Sequence, residues 1–240
     1  VWSYAERKVG FRVDDRSTWG DGRLRHSWKG LRRNPAFAPL VDNPSVQAAL
    51  KAIFGPAGWR PPKPGAQVLL SLPGPGPWVL PDAWHMDCGF ERPTWPVFAV
   101  KLFAFFDDVE PGGGGTMLLP GSHRVVDRYR RSLPPGTGGG QTHWRPFMKN
   151  DPWLAELLRG ARLDDGGRSL VGQRHDVDGI PVELLELAGR PGDVVITHLH
   201  VFHTASPNVG DRPRQMLGKG IEATGATPPA PTRSPRAEAT

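Results

Sequence analysis

A single cysteine, Cys88, stands among 240 residues. One thiol closes no disulfide within the chain and builds no cysteine-rich zinc site, so a disulfide scaffold and a zinc ribbon are both excluded. A reducing, cytoplasmic compartment is the expectation. Long apolar runs are lacking too: no stretch reaches the length of a membrane-spanning helix, and no signal peptide opens the chain. No membrane partner is therefore expected. The chain begins at Val1 rather than Met, and residues ahead of it are expected to be missing. Basic clustering is absent as well. The net charge of +6 comes from arginines scattered along the chain, without stacking aromatics or a nucleic-acid motif, so no specific nucleic-acid partner is expected.

What is abundant is punctuation. Hydrophobic residues make up 38% of the chain, while 30 Gly and 27 Pro together approach a quarter of it. Such a composition disfavours a helix bundle and favours short strands joined by many turns. The length suits one domain with a full core.

The elements can be placed in outline. "DNPSVQAALKAIFG" predicts a helix, with Asn43 as N-cap, Pro44 at the first helical position and Gly55 as stop. "GAQVLLSLPG" reads as a strand, and "WPVFAVKLFAFFDDV" as the strongest strand of all, its apolar run broken by Lys101. "GTMLLPGSH" is a short strand running into a Pro120-Gly121 turn. Residues 124–180, rich in Arg, Gly and Asp, read as a lid-like insertion with one helix, "NDPWLAELLRGA". "IPVELLEL", "GDVVITHLHVFH" and "RQMLGKGIEA" supply three further strands. Residues 1–40 resist assignment, and 224–240 form a Pro/Ala/Thr-rich tail expected to be disordered. The fold class expected is α+β, mainly β, in a single domain over 1–223 built on a jelly-roll core with flanking helices.

Two stretches carry chemistry. In "PDAWHMDCGF", His85 and Asp87 are two apart, and on extended backbone residues i and i+2 point to one side. An imidazole and a carboxylate can therefore converge on one metal ion, and with a second histidine they would make the facial triad of non-haem iron oxygenases. An H-x-D triplet alone is common. The second stretch, "THLHVFHTASPNVGDRPRQM", offers His198, His200 and His203, then Arg212 and Arg214. If it is one strand, His198 and His200 share a face and His203 is out of phase, so alternation does not choose a ligand. The arginines suit a carboxylate partner, because a guanidinium pairs with carboxylates in a two-pronged fork.

Taken together, "WHMD", "GGGGTMLLPGSHR" and "GDVVITHLHVFHTASPNVGDRPRQM" resemble the phytanoyl-CoA dioxygenase family of Fe(II)/2-oxoglutarate oxygenases. Three motifs in the right order over roughly residues 40–222 make the resemblance specific. In that family the ligand histidine follows the Asp of Gly-Asp by ten residues, and the cosubstrate arginine follows the histidine by eleven. From Asp193 this register gives His203 and then Arg214. The resemblance implies a double-stranded β-helix, a cupin-like jelly-roll. Iron would be held by His85, Asp87 and His203, and 2-oxoglutarate by Arg214, with O2 as the oxidant. It implies hydroxylation of a small molecule with release of succinate and CO2. Phytanoyl-CoA itself is not implied, since the family acts on amino acids, lipids and specialised metabolites. Halogenating variants replace the carboxylate ligand by Gly or Ala, and Asp87 argues against that outcome.

Around this core the sequence departs from the family pattern in places. The Ser that often assists the cosubstrate arginine is Ala205 here, with Ser206 beside it. Phe103 falls near a position often held by Trp. Gln67 and Ser71 share a strand face and are candidates to contact cosubstrate, Gln67 the nearer bet. His198 and His200 are read as barrel-wall residues or as neighbours of the ligands. His123 is read as a turn-fixing residue, Cys88 as a small filler open to oxidation, and Trp84, Met86 and Phe90 as either pocket or core. His175, Asp176 and Asp178 mimic a metal cluster but sit in the loop-rich excursion and lack a further partner. Two rival functions use the same motifs: a non-catalytic metal-binding jelly-roll that senses or binds, and an oxygenase acting on nucleic acid.

Overall fold

The computed structural model describes residues 1–19, 34–62, 65–134 and 144–225. The expected tail from residue 226 onward, and the stretches 20–33 and 135–143, lie outside the described residues. Helix α1 is Trp2–Val9, α2 is Ala38–Asp42 and α3 is Pro44–Phe54. The Asn43 carboxamide oxygen accepts from Ser45 N at 2.9 Å, Pro44 fills the first turn, and Gly55 at φ 57° ends α3. Val46, Leu50 and Phe54, four residues apart, form its buried stripe. Burying each contributes about 1.5–3 kcal/mol.

That stripe packs on a four-stranded antiparallel sheet. Its strands, in spatial order, are β1 (Gln67–Ser71), β9 (Arg214–Glu222), β2 (Ala99–Phe105) and β7 (Val194–His198). Side chains alternate between the two faces. Val100, Leu102 and Ile221 face α3, and Val68, Leu70 and Leu217 meet Phe11 and Trp19 of the N-terminal segment. The opposite face carries Leu69, Phe103, Phe105 and Met216, which pack with Leu118 and Val201. Those two residues come from the second layer, the three-stranded sheet β6 (Leu185–Glu186), β3 (Thr116–Leu118), β8 (His203–Ala205) and its connections.

The 124–180 stretch is more ordered than its composition suggests. Helix α4 (Ser122–Ser132) starts directly after the Pro120-Gly121 turn, where Gly121 takes φ 90°. Helices α5 (Trp144–Lys149) and α6 (Pro152–Leu157) follow. Strands β4 (Arg174–Val177) and β5 (Ile180–Glu183) form a hairpin across Asp178 and Gly179, both at positive φ. Val126, Met148, Leu154 and Leu157 from this stretch share the largest buried cluster with Trp84 and Phe202. No helix among the described residues is long and apolar enough to cross a membrane.

Two expected strands divide: "IPVELLEL" becomes β5, paired with β4, and β6, paired with β3. "GDVVITHLHVFH" pairs with β2 as far as His198, turns over 199–202, and resumes as β8 in the other sheet. The turn costs the ladder four residues and changes which histidines can face one another.

Candidate metal and cosubstrate site

His85 and His203 exchange backbone hydrogen bonds, His85 N to His203 O at 3.0 Å and His203 N to His85 O at 2.9 Å. Asp87 N donates to Leu199 O at 3.1 Å. The H-x-D segment is thus laced to the chain that leaves β7, which brings residues more than a hundred positions apart side by side. One ligand atom from each of His85, Asp87 and His203 lies within 4.8 Å of the others. The two imidazole rings are 4.2 Å apart, and His203 Nε2 lies 3.7 Å from Asp87 Oδ2.

The hydrogen bonds fix which nitrogen is free. His203 Nδ1 faces Val201 O at 3.0 Å and His85 Nδ1 faces Ala83 O at 3.3 Å. A carbonyl oxygen only accepts, so each Nδ1 carries a proton, and in the neutral ring the lone pair is left on Nε2. Burial lowers the His203 pKa, opposed by the Asp87 carboxylate and reinforced by His85, so the ring is neutral at pH 7. Two imidazoles held through Nδ1 by carbonyl acceptors, plus one carboxylate, are the donor set of a borderline divalent cation such as iron. Phe103 lies edge-on to the His203 ring at 5.9 Å.

Arg214 opens β9 on the inward face, opposite Ser71 of β1. It is 4% exposed. One terminal nitrogen donates to Leu69 O at 2.7 Å, while Nε is buried without a partner. Burial lowers its pKa to about 10, against the Glu186 and Asp107 carboxylates, and it remains a cation at neutral pH. A buried guanidinium with an unspent N–H is suited to an incoming carboxylate. Arg212, by contrast, is exposed. The loop between them and β8 is held by Asn208, whose amide donates to Ser71 O and Arg212 O and whose carbonyl accepts from Gly210 N.

The remaining candidates sort by their contacts. Gln67 is exposed at the start of β1, on the same face as Arg214 and four pairs along the ladder from it. Ser206 is buried and accepts from Trp78 Nε1 at 2.9 Å. Trp84, Met86 and Phe90 all join the core cluster, and Trp84 Nε1 donates to Leu157 O. Burial pushes the Cys88 thiol well above its usual pKa, which disfavours the oxidisable thiolate. His175 stacks on Trp153 and faces Asp151 at 3.4 Å, apart from the His85 group.

His198 and His200 form a different assembly. His198 sits between His123 at 5.4 Å and His200 at 5.2 Å, all three rings nearly parallel. It accepts from His200 N at Nδ1 and donates from Nε2 to Thr94 O, both at 3.0 Å; His200 Nε2 donates to Gly89 O at 3.2 Å. Both histidines therefore brace the loop that follows Asp87. Sequence reasoning missed this column, and it missed Lys101, whose ammonium lies 3.2 Å from Asp87 Oδ2. The lone charge in the strongest strand was the available signal.

The family model described as phytanoyl-CoA dioxygenase (PhyH) matches residues 7–216. No curated protein matches the chain. Among solved structures, the epimerase SnoN in complex with Fe3+, alpha ketoglutarate and nogalamycin RO is similar at 18% identity and TM-score 0.48, over 92% of this chain and 72% of SnoN. EvdO2 from Micromonospora carbonacea var. aurantiaca, complexed with 2-oxoglutarate, gives 17% and 0.40 over 78% of this chain and 63% of its own. AviO1 from Streptomyces viridochromogenes Tue57 gives 17% and 0.43, over 79% of this chain. The chain spans 57% of another SnoN structure and 62% of AviO1.

Proposed function

The chain belongs to the phytanoyl-CoA dioxygenase family, and from that premise we propose that it is an Fe(II)- and 2-oxoglutarate-dependent oxygenase that hydroxylates a small molecule. The observation that carries the reading is one convergence. Three ligand atoms lie within 4.8 Å of one another, and a buried arginine with an unspent N–H follows His203 by eleven residues. The residues present fit the group: His85 and His203 offer Nε2 lone pairs, Asp87 a carboxylate oxygen, and Arg214 a partner for the far carboxylate of 2-oxoglutarate. When bound, iron and 2-oxoglutarate supply the oxidising power, with O2 consumed and succinate and CO2 released.

The chain's own share is positioning. Ala83 O and Val201 O orient the two imidazoles, and the backbone pairing of His85 with His203 fixes their separation. Phe103, Phe105 and Met216 pack on the inward face and would keep water from iron and 2-oxoglutarate bound there. The two facing antiparallel sheets support a jelly-roll reading of the fold, and the interlocked clusters support one domain over 1–223. Gln67 is a weaker candidate for cosubstrate contact, lying at the exposed end of its strand. The lone Cys88 supports a cytoplasmic location.

The experiment is succinate release. With Fe(II), ascorbate and 2-oxoglutarate, folded protein releases succinate above a buffer blank even without a true substrate, through uncoupled turnover. A folded, iron-loaded sample that makes none with any candidate substrate sinks the oxygenase reading and leaves the non-catalytic metal-binding module.

A further inference from the structure

Lys101 interrupts an otherwise apolar strand and points to the inward face, as do Phe103 and Phe105. A charge in the middle of a sheet costs desolvation unless it is compensated. Here the compensation is Asp87: the ammonium lies 3.2 Å from Oδ2 and 3.5 Å from Oδ1, with side-chain exposures of 13% for Lys101 and 25% for Asp87. The oxygen nearest Lys101 is also the one 3.7 Å from His203 Nε2. A cation already stands beside the oxygen that a metal shared with His203 would take. Space for it comes from β9, where Gly218 lies next to Lys101 and a Cβ at that position would sit 2.9 Å from Lys101 Cε. A side chain there would press on the end of the lysine, which would have to shift.

We propose that Lys101 is a positioning residue that competes with the metal for Asp87. It neutralises the carboxylate in the metal-free protein, yields Oδ2 to the metal, and afterwards keeps Oδ1. The inference rests on the metal-site reading above. Its consequence is a ligand count. An Asp87 held at Oδ1 gives one oxygen only, so two histidines and one carboxylate oxygen leave three positions of an octahedral ion open. A carboxylate free to chelate with both oxygens would leave two.

The sign of one measurement decides it. Mn(II) is titrated into metal-free wild type, Lys101→Met and Lys101→Arg, with the free ion followed by electron paramagnetic resonance. Removing a positive charge a few ångströms from a divalent ion tightens Mn(II) binding on the order of tenfold in Lys101→Met. Metal-free Lys101→Met also melts below wild type, because Asp87 loses its counter-charge, and Lys101→Arg returns toward wild-type affinity. A merely structural salt bridge predicts the reverse, a loosened Asp87 and weaker binding. Folded Lys101→Met that binds Mn(II) no more tightly than wild type overturns the proposal. Should that variant not fold, Lys101→Gln, which keeps a donor for Asp87 without charge, makes the same comparison. Wild type that binds no Mn(II) at all removes the metal site itself; wild type that binds without any tightening in the variants removes only the role of Lys101.

Discussion

Two histidine clusters lie within a few residues of each other and have opposite fates. In the first, His85 and His203 spend Nδ1 on a carbonyl, His203 turns Nε2 toward Asp87, and a ligand atom of each of the three residues converges. In the second, His198 spends both ring nitrogens, on His200 N and Thr94 O, and stacks between two other rings. His200 spends Nε2 on Gly89 O, and its Nδ1 is buried without a partner. The residue type is the same, and His198, His200 and His203 even share one stretch of chain. Hydrogen-bond accounting separates a candidate ligand from a brace: what matters is whether a lone pair is left over and whether it converges with others.

The largest test of that contrast is ligand-dependent melting. A ligand that binds only the folded state adds RT ln(1 + [L]/Kd), about 2.7 kcal/mol at a hundredfold excess. Mn(II) with 2-oxoglutarate therefore raises the wild-type melting temperature by several degrees. His203→Ala and Asp87→Ala lose nearly all of that gain, while His198→Ala and His200→Ala keep most of it despite a lower baseline. Retention in His203→Ala with loss in His200→Ala would reverse the two clusters' roles.

A second comparison sets buried Arg214 against exposed Arg212. Truncating one partner of a buried charge pair costs about 2–5 kcal/mol, so Arg214→Ala raises the 2-oxoglutarate concentration needed for half-maximal thermal shift by well over tenfold. Arg212→Ala changes it little. Equal losses would mean that the cosubstrate end lies elsewhere.

The smallest expected effect sharpens the contrast from the column's side. Burial pushes His200 and His123 down from 6.5 to about 4, and lowers His198 as well. The folded state binds fewer protons than the unfolded one in that window, so stability is full above pH 6.5 and falls as the pH drops toward 4. His123→Phe, which keeps the stack without a proton site, flattens chemical-denaturation stability between pH 6.5 and 4.5. A slope equal to wild type would show that the column does not carry the acid sensitivity.

Much of this was legible in the sequence where the signal is local. The caps of α3 follow from Asn43, Pro44 and Gly55, β2 from its apolar run, and the pairing of His85 with Asp87 on one segment from strand geometry. Arg214 over Arg212 came from the family register; the structure buries the first and exposes the second. What failed was non-local. "GDVVITHLHVFH" looks like one strand because every residue fits one; the break after His198 comes from tertiary pairing, first with β2 and then with β3. Helix α4 was hidden by arginines that its solvent face tolerates, while Val125 and Val126 bury the other. The β4–β5 hairpin carried an Asp178-Gly179 turn signal that the metal-like spacing of His175 and Asp176 obscured. Lys101 was visible as an oddity, but its partner lies across the fold.

The break between β7 and β8 has a mechanical side. One continuous backbone leaves the four-stranded sheet at His198 and enters the three-stranded sheet at His203, stitched on the way to the segment holding His85 and Asp87. An ion gripped by all three side chains would act as a rivet through that seam, clamping two layers that otherwise meet through apolar contact. Loading the site would then stiffen the joint between the sheets, and the protein's rigidity would report whether it is charged for work.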